Sequence, residues 1–165
     1  MGRFMPSVQQ PAVVGTFYSA DPEKLSHSLS AHLNSPFAWD IEAKALAVPH
    51  AGHVYSGPIA GTAYASVRHL SDRIKRVVLV GPAHRARFKG IALPSADSFA
   101  TPLGNIPVDW KVLSKALSLP QVKIGDAAFE GEHSLEVHLP FLQHALNEFS
   151  LVPLLVGDAT PEHVD

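Results

Sequence analysis

Two short apolar runs in this chain end the same way, in a proline and then a histidine: Val48-Pro49-His50-Ala51-Gly52 and Val80-Gly81-Pro82-Ala83-His84. Neutral imidazole ligates zinc, copper and iron, and two imidazoles fill half of a common coordination shell. In open α/β sheets, ligands bind outside the carboxyl ends of the strands. Neighbouring parallel strands would therefore deliver His50 and His84 to one crevice. Pro49 and Pro82 stiffen the backbone ahead of each ring, and Gly52 and Gly81 permit tight turns. The chain has ten histidines and no cysteine, so its metal chemistry must run through nitrogen and oxygen donors. The plainer alternative is two unrelated loop histidines.

A second cluster is Gly131-Glu132-His133-Ser134-Leu135-Glu136-Val137-His138. If this stretch is helical, spacing of three puts His133 and Glu136 on one face, Glu132 and Glu136 are neighbours at spacing four, and His138 points elsewhere. His133 and Glu136 are the candidate catalytic residues, as an acid–base pair or as groups that orient a ligand. A helix-start network with Glu132 near the dipole and Ser134 as cap is the structural alternative. The pattern is neither the two-histidine metalloprotease helix nor a di-iron repeat. His53 and Tyr55 are placed to line the same mouth or to cover the loop. Arg85, Arg87 and Lys89 form a small positive patch on what reads as a solvated loop. Ser56-Gly57-Pro58 ahead of a helix is a weak anion signal.

The elements that must position these residues read as follows. Residues 1–10 look like a frayed or extraneous start. Asp21-Pro22-Glu23 opens a helix carrying Leu25, Leu29 and Leu33, with His27 and His32 on its surface. Residues 43–49 read as a buried strand, residues 57–70 as a small-residue helix, and residues 76–80 as a second buried strand. Residues 90–93 make a further strand, Thr101-Pro-Leu-Gly a turn, and residues 108–117 a helix starting near Asp109. Leu135 to Phe149 carries a helical stripe that Pro140 must kink or restart. Residues 151–156 form a third short strand, placed near an edge because Pro153 cannot donate to a ladder. Thr160-Pro161-Glu162 signals one more helix. Strands alternating with helices indicate an α/β fold with a largely parallel sheet and flanking helices.

Composition narrows the function. The 165 residues are 46% apolar and 17% charged, with a formal net charge of −2. That suits one compact domain over residues 11–165 and supplies no clustered basic surface for nucleic acid. No window is apolar enough to span a membrane and no secretory signal precedes the domain, so a cytoplasmic protein is expected.

The segments VPHAGHVYSGPIAGTAY, VVLVGPAHR, SFATPLGNIPVD, EHSLEVHLPFLQ and LVPLLVG, in this order, resemble the Memo-like family. Its bacterial members are labelled AmmeMemoRadiSam system protein B. The resemblance runs from about Pro11 to Gly157. It implies a fold similar to the class III extradiol dioxygenases, non-haem iron enzymes, and it makes His50 and His84 metal ligands. It also implies a divalent or redox-active ion, iron or copper before zinc, and redox chemistry on an unknown small molecule. Radical-SAM and AMMECR-type proteins accompany such bacterial members. The family's later Asp…His motif and a further ligand, often cysteine, have no counterpart here, so the chain is expected to be the N-terminal part of the fold, with self-association through the exposed sheet. The rivals are a non-catalytic module binding a peptide or small anion in the same cleft, and metal-dependent hydrolysis.

Overall fold

The computed structural model describes residues 6–158 and 160. It is a mixed α/β fold of two sheets and four helices. Helix α1 (Pro22–Leu33) begins as its sequence dictates: Asp21 accepts the N–H groups of Glu23 and Lys24, and Pro22 occupies the first turn. Its Leu25, Leu29 and Leu33 are buried. Helix α2 (His53–Ala65) starts after Gly52, contains Pro58 and packs against α1. A Cβ at Gly61 would lie 2.4 Å from the His32 carbonyl oxygen, and one at Gly57 2.5 Å from His32 Nε2. His32, expected on the surface, is instead half-buried between the helices because glycines let α1 approach so closely.

The larger sheet has the order β2–β7–β3–β6. Strand β2 (Arg76–Pro82) runs parallel to β7 (Ser150–Val156), and β3 (Ile91–Leu93) runs parallel to β6 (Val122–Ile124). Strands β3 and β7 are antiparallel, so the sheet is mixed. The smaller sheet places β4 (Ser98–Thr101) between β1 (Val8–Gln9), parallel, and β5 (Gly104–Pro107), antiparallel. Val8 and Gln9 thus pair with a strand although the sequence reads as a frayed start there.

Strand β7 is central, which corrects its expected place at an edge. Ser150 N–H bonds toward β2 at Lys75, while the Leu151 carbonyl accepts Asp109 N–H on the opposite side. The alternation puts the Pro153 nitrogen on that opposite side. There β3 pairs only with Leu155 and Val156, so the missing donor leaves no ladder bond unmade.

Two further expectations are revised. Residues 43–49 form no strand and lie mostly exposed, because they make no ladder with the free edge of β2. The stripe from Leu135 onward is not one helix: a 3-10 turn (Glu136–His138) leads into α4 (Leu139–Ala145), so Pro140 sits in the first turn of a restarted helix. Helix α3 (Trp110–Ala116) is capped by Asp109, which accepts Val112 N–H at 3.1 Å. The expected helix from Thr160 runs into residues outside the described ones.

The core gathers Leu25, Leu29, Leu93, Leu113, Leu139, Phe141, Leu151 and Leu155, all fully buried. Helices α1, α2 and α4 pack on one another, with Phe141 stacked on Tyr64 at 5.5 Å. No described helix is long and apolar enough to cross a membrane. Val78 and Val80 on β2 are 56% and 58% exposed, and Val54, Tyr55 and Ile59 on α2 are more exposed still.

An uncovered strand edge beside exposed valines favours pairing with another surface. The chain should self-associate, and light scattering that finds only monomer at micromolar concentration would refute this. Gly61→Ala should destabilise the fold by about 2 kcal/mol, because its methyl overpacks the α1–α2 contact; an unchanged denaturation midpoint would show that α1 is free to move away.

Candidate metal centre

His50 closes the extended stretch ahead of α2, and His84 lies two residues beyond β2. Their rings come together with centroids 5.2 Å apart. A third ring joins them from the turn before α4: His133 stacks on His84 at 4.7 Å and lies 6.1 Å from His50. His138 is 6.5 Å from His50 on the buried side.

What holds this arrangement is Glu132, whose side chain is only 2% exposed. Its Oε1 accepts His84 Nδ1–H at 2.9 Å and the backbone N–H groups of His133 and Ser134 at 2.8 Å each. Its Oε2 accepts the His84 backbone N–H. Burial alone would raise its pKa, but these bonds, led by that from the His84 side chain, hold it down at about 2. A carboxylate only accepts, so His84 carries a proton on Nδ1.

The local backbone explains why Glu132 reaches His84. Gly131 has φ of 67°, a turn that a side chain would strain. Gly81, the penultimate residue of β2, lies against the same loop: a Cβ there would meet Leu135 Cδ2 at 2.7 Å and Ser134 Oγ at 2.9 Å. Lack of a side chain at Gly81 lets the Glu132–Leu135 loop seat on the end of β2, beside His84.

Glu136 lies apart from this carboxylate. Its oxygens accept the Ala12 and Val13 N–H groups at 2.6 and 3.0 Å and the Tyr18 hydroxyl at 2.6 Å. Burial, with that bond, raises the Tyr18 pKa and keeps the phenol protonated. The anchored segment carries Phe17, whose ring tilts against His133 at 4.8 Å. His53, a sequence candidate for the mouth, is buried beneath it, with Nε2 2.9 Å from the Val137 carbonyl and its ring 4.6 Å from Phe141. Tyr55 is 84% exposed.

His138 was expected to point away from the cluster on helical spacing. Residues 131–135 are not helical, so that spacing does not apply, and the ring turns toward His50. Burial, then the proximity of His50 and His53, lowers its pKa to about 4, and its Nδ1 has no hydrogen-bond partner. Burial likewise lowers His50 and His133. Glu132 was read only as part of a helix start; the Glu-His pair after a glycine was the signal for its anchoring role.

The donor set could hold a metal ion. Among the described residues, donor atoms of His84, Glu132 and His133 all lie within 4.8 Å of one another. His50 makes no hydrogen bond among them, so its ring nitrogens are uncommitted.

The Memo-like protein profile matches residues 9–165 of this sequence. The chain belongs to the Memo-like family. It is 39% identical over 150 residues to a MEMO1 family protein of Aquifex aeolicus, covering 90% of this chain and 55% of that protein. It is 35% identical over 168 residues to a MEMO1 family protein of Ignicoccus hospitalis, covering 93% of this chain and 58% of the relative. A MEMO1 family protein of Archaeoglobus fulgidus is 37% identical over 153 residues, with 91% and 54% covered. This Memo-like chain thus spans little more than half the length of these relatives.

The neutral, buried state of His138 predicts a pH effect in metal-free protein. Its folded pKa of about 4 lies below the ordinary 6.5, so the unfolded chain binds the extra proton between these values. The stabilisation is full above pH 6.5 and falls as pH drops toward 4. Denaturant midpoints measured from about pH 7 to pH 4 should fall less steeply in His138→Gln than in the parent. Equal slopes would show that His138 is not held neutral.

Proposed function

We propose that this chain is a metal-binding protein of the Memo-like family, with His50 and His84 as ligands in a dioxygenase-like pocket. The observation that carries the reading is the approach of the two rings to 5.2 Å, with His84 fixed through Nδ1 by Glu132. A metal-binding histidine commonly donates its other ring N–H to a carboxylate, which orients the ring and raises its basicity. An all-nitrogen and oxygen donor set favours iron, copper or zinc. When bound, iron or copper would supply redox chemistry toward O₂ or substrate, and zinc a Lewis acid.

The chain's own residues support such a role in definite ways. Glu132 holds His84 in one tautomer. Phe17 closes one side of the pocket with an apolar ring, which lowers water access at His133. His138 stays neutral, so its Nδ1 is a proton-accepting or proton-donating atom at the buried wall. The proposed reaction class is metal-dependent oxidoreduction of a small molecule. The bacterial label AmmeMemoRadiSam system protein B and an association with radical-SAM and AMMECR-type proteins belong to the same proposal.

A second reading is a non-catalytic module that binds a peptide or small anion in this cleft. It is favoured by Arg85, whose charge reaches His133.

Metal analysis by mass spectrometry, on protein purified without chelator or affinity tag, separates the two. The parent should hold near-stoichiometric iron, copper or zinc, and the His50→Ala/His84→Ala double variant should lose it. A parent that is empty and refuses added metal would overturn the metal reading and favour the binding module. Metal-dependent oxygen consumption would then distinguish redox chemistry from metal-dependent hydrolysis.

A further inference from the structure

We infer that the uncovered side of β2 is the seat of a further polypeptide, which adds a strand at its free edge and covers Val78 and Val80 with an apolar layer. The occupant is the part of a Memo-like protein that lies outside the span this chain matches. The inference is independent of the metal-binding reading.

Strand β2 has the sequence of a central strand and the position of an edge strand. Val77 to Val80 is a continuous apolar run, the pattern of a parallel strand covered on both faces. The strand's one charged residue, Arg76, stands at its start and is held by Asp109 at 2.6 Å. Yet β2 ends the order β2–β7–β3–β6 and has a single neighbour. Val78 and Val80 are more than half exposed on the bare face. The edge is open at the same two residues. Ser150 N–H bonds to the Lys75 carbonyl and Ala83 N–H to that of Val156, so odd-numbered residues of this segment face β7. The N–H groups of Val78 and Val80 therefore point away from the sheet. Edge strands are ordinarily blunted by charge, proline or a bulge, and Val77 to Val80 carries no charge and no proline.

Helix α2 is built in the same way. It contains no Lys, Arg, Asp or Glu, and a helix apolar all round belongs in a core. It packs against α1 and α4, while Val54, Tyr55 and Ile59 are at least 64% exposed. The contact between the His50 and His84 rings sets the segment leading into α2 beside the end of β2.

The relatives indicate what covers this side. Those of Aquifex aeolicus, Ignicoccus hospitalis and Archaeoglobus fulgidus are each matched over little more than half their length, so each carries a long stretch outside the match. A strand of about 6 residues and a helix of about 11 need only a small part of it. A second copy of this chain is a poorer fit. Pairing β2 with β2 about a two-fold axis would fill the edge, but each copy brings the same bare face, leaving the valines of both open. Self-association of the chain by itself is what this surface does when nothing else occupies it.

The test is a chimera in which this chain replaces the matched segment of the Aquifex aeolicus protein, compared with the chain alone by hydrogen exchange and light scattering. In the chimera the Val78 and Val80 amides should exchange roughly 100-fold more slowly than in the chain alone at a dilution that keeps it monomeric. The chimera should also stay monomeric at micromolar concentrations where the chain alone associates. The double substitution Val78→Lys/Val80→Lys should leave the denaturation midpoint of the chain alone unchanged, because both side chains already stand in solvent. In the chimera it should lower the midpoint and restore fast exchange at both positions. Leu119→Lys, beside β6 at the opposite end of the sheet, should change neither protein. Exchange at Val78 and Val80 that is as fast in the chimera as in the chain alone overturns the inference. So does a chimera indifferent to the double substitution. A chimera that associates as the chain alone does also overturns it, and assigns the face to a second copy.

Discussion

The carboxylate of Glu132 is the point on which the site depends. It lies buried at the junction of two segments that are distant in sequence, and it gathers four donors from His84, His133 and Ser134. Burying an ion is costly unless its lone pairs are filled, and here they are. The bonds fix the tautomer of His84 and the path of the turn before α4. Gly81 and Gly131 are the local conditions for this, one by leaving room at the end of β2 and the other by allowing a left-handed turn.

A second buried glutamate, four residues on, does a different job. Glu136 ties down the N-terminal segment through Ala12, Val13 and Tyr18. That tether brings Phe17 to His133 and stacks Tyr18 on His53 at 5.4 Å. Two carboxylates from one turn thus organise opposite sides of the histidine cluster: one holds His84 and His133, the other holds the segment that carries Phe17. Neither carboxylate is free, whereas the buried His138 ring keeps an Nδ1 without a hydrogen-bond partner.

The family relation bears on the outer surface as much as on the site. The chain matches its Memo-like relatives over most of its own length and about half of theirs. The unpaired edge of β2 and the apolar residues 43–49 lie on segments that lead directly into His50 and His84. That edge therefore lies close to the two loops that bring His50 and His84 together.

Local chemistry made several features legible in the sequence. Asp21-Pro22-Glu23 and Asp109 start helices because a side-chain oxygen can satisfy orphan N–H groups without help from elsewhere. The two proline-histidine segments were legible as a repeated pattern, although only the one ending in His84 follows a strand, and the family was legible through its ordered motifs. Tertiary structure decided the rest. Pro153 sits in a central strand because its neighbour β3 stops short of it, which is a fact about another segment. Residues 43–49 remain unpaired although they are apolar, because a strand needs a partner edge as well as a pattern. Helical spacing misplaced His138 and paired His133 with Glu136, because a turn and a 3-10 segment replace the helix there. The roles of Glu132 and Glu136 depend on donors 48 and more than 110 residues away. A carboxylate's partners are set by where the chain returns, and only the folded structure brings them together.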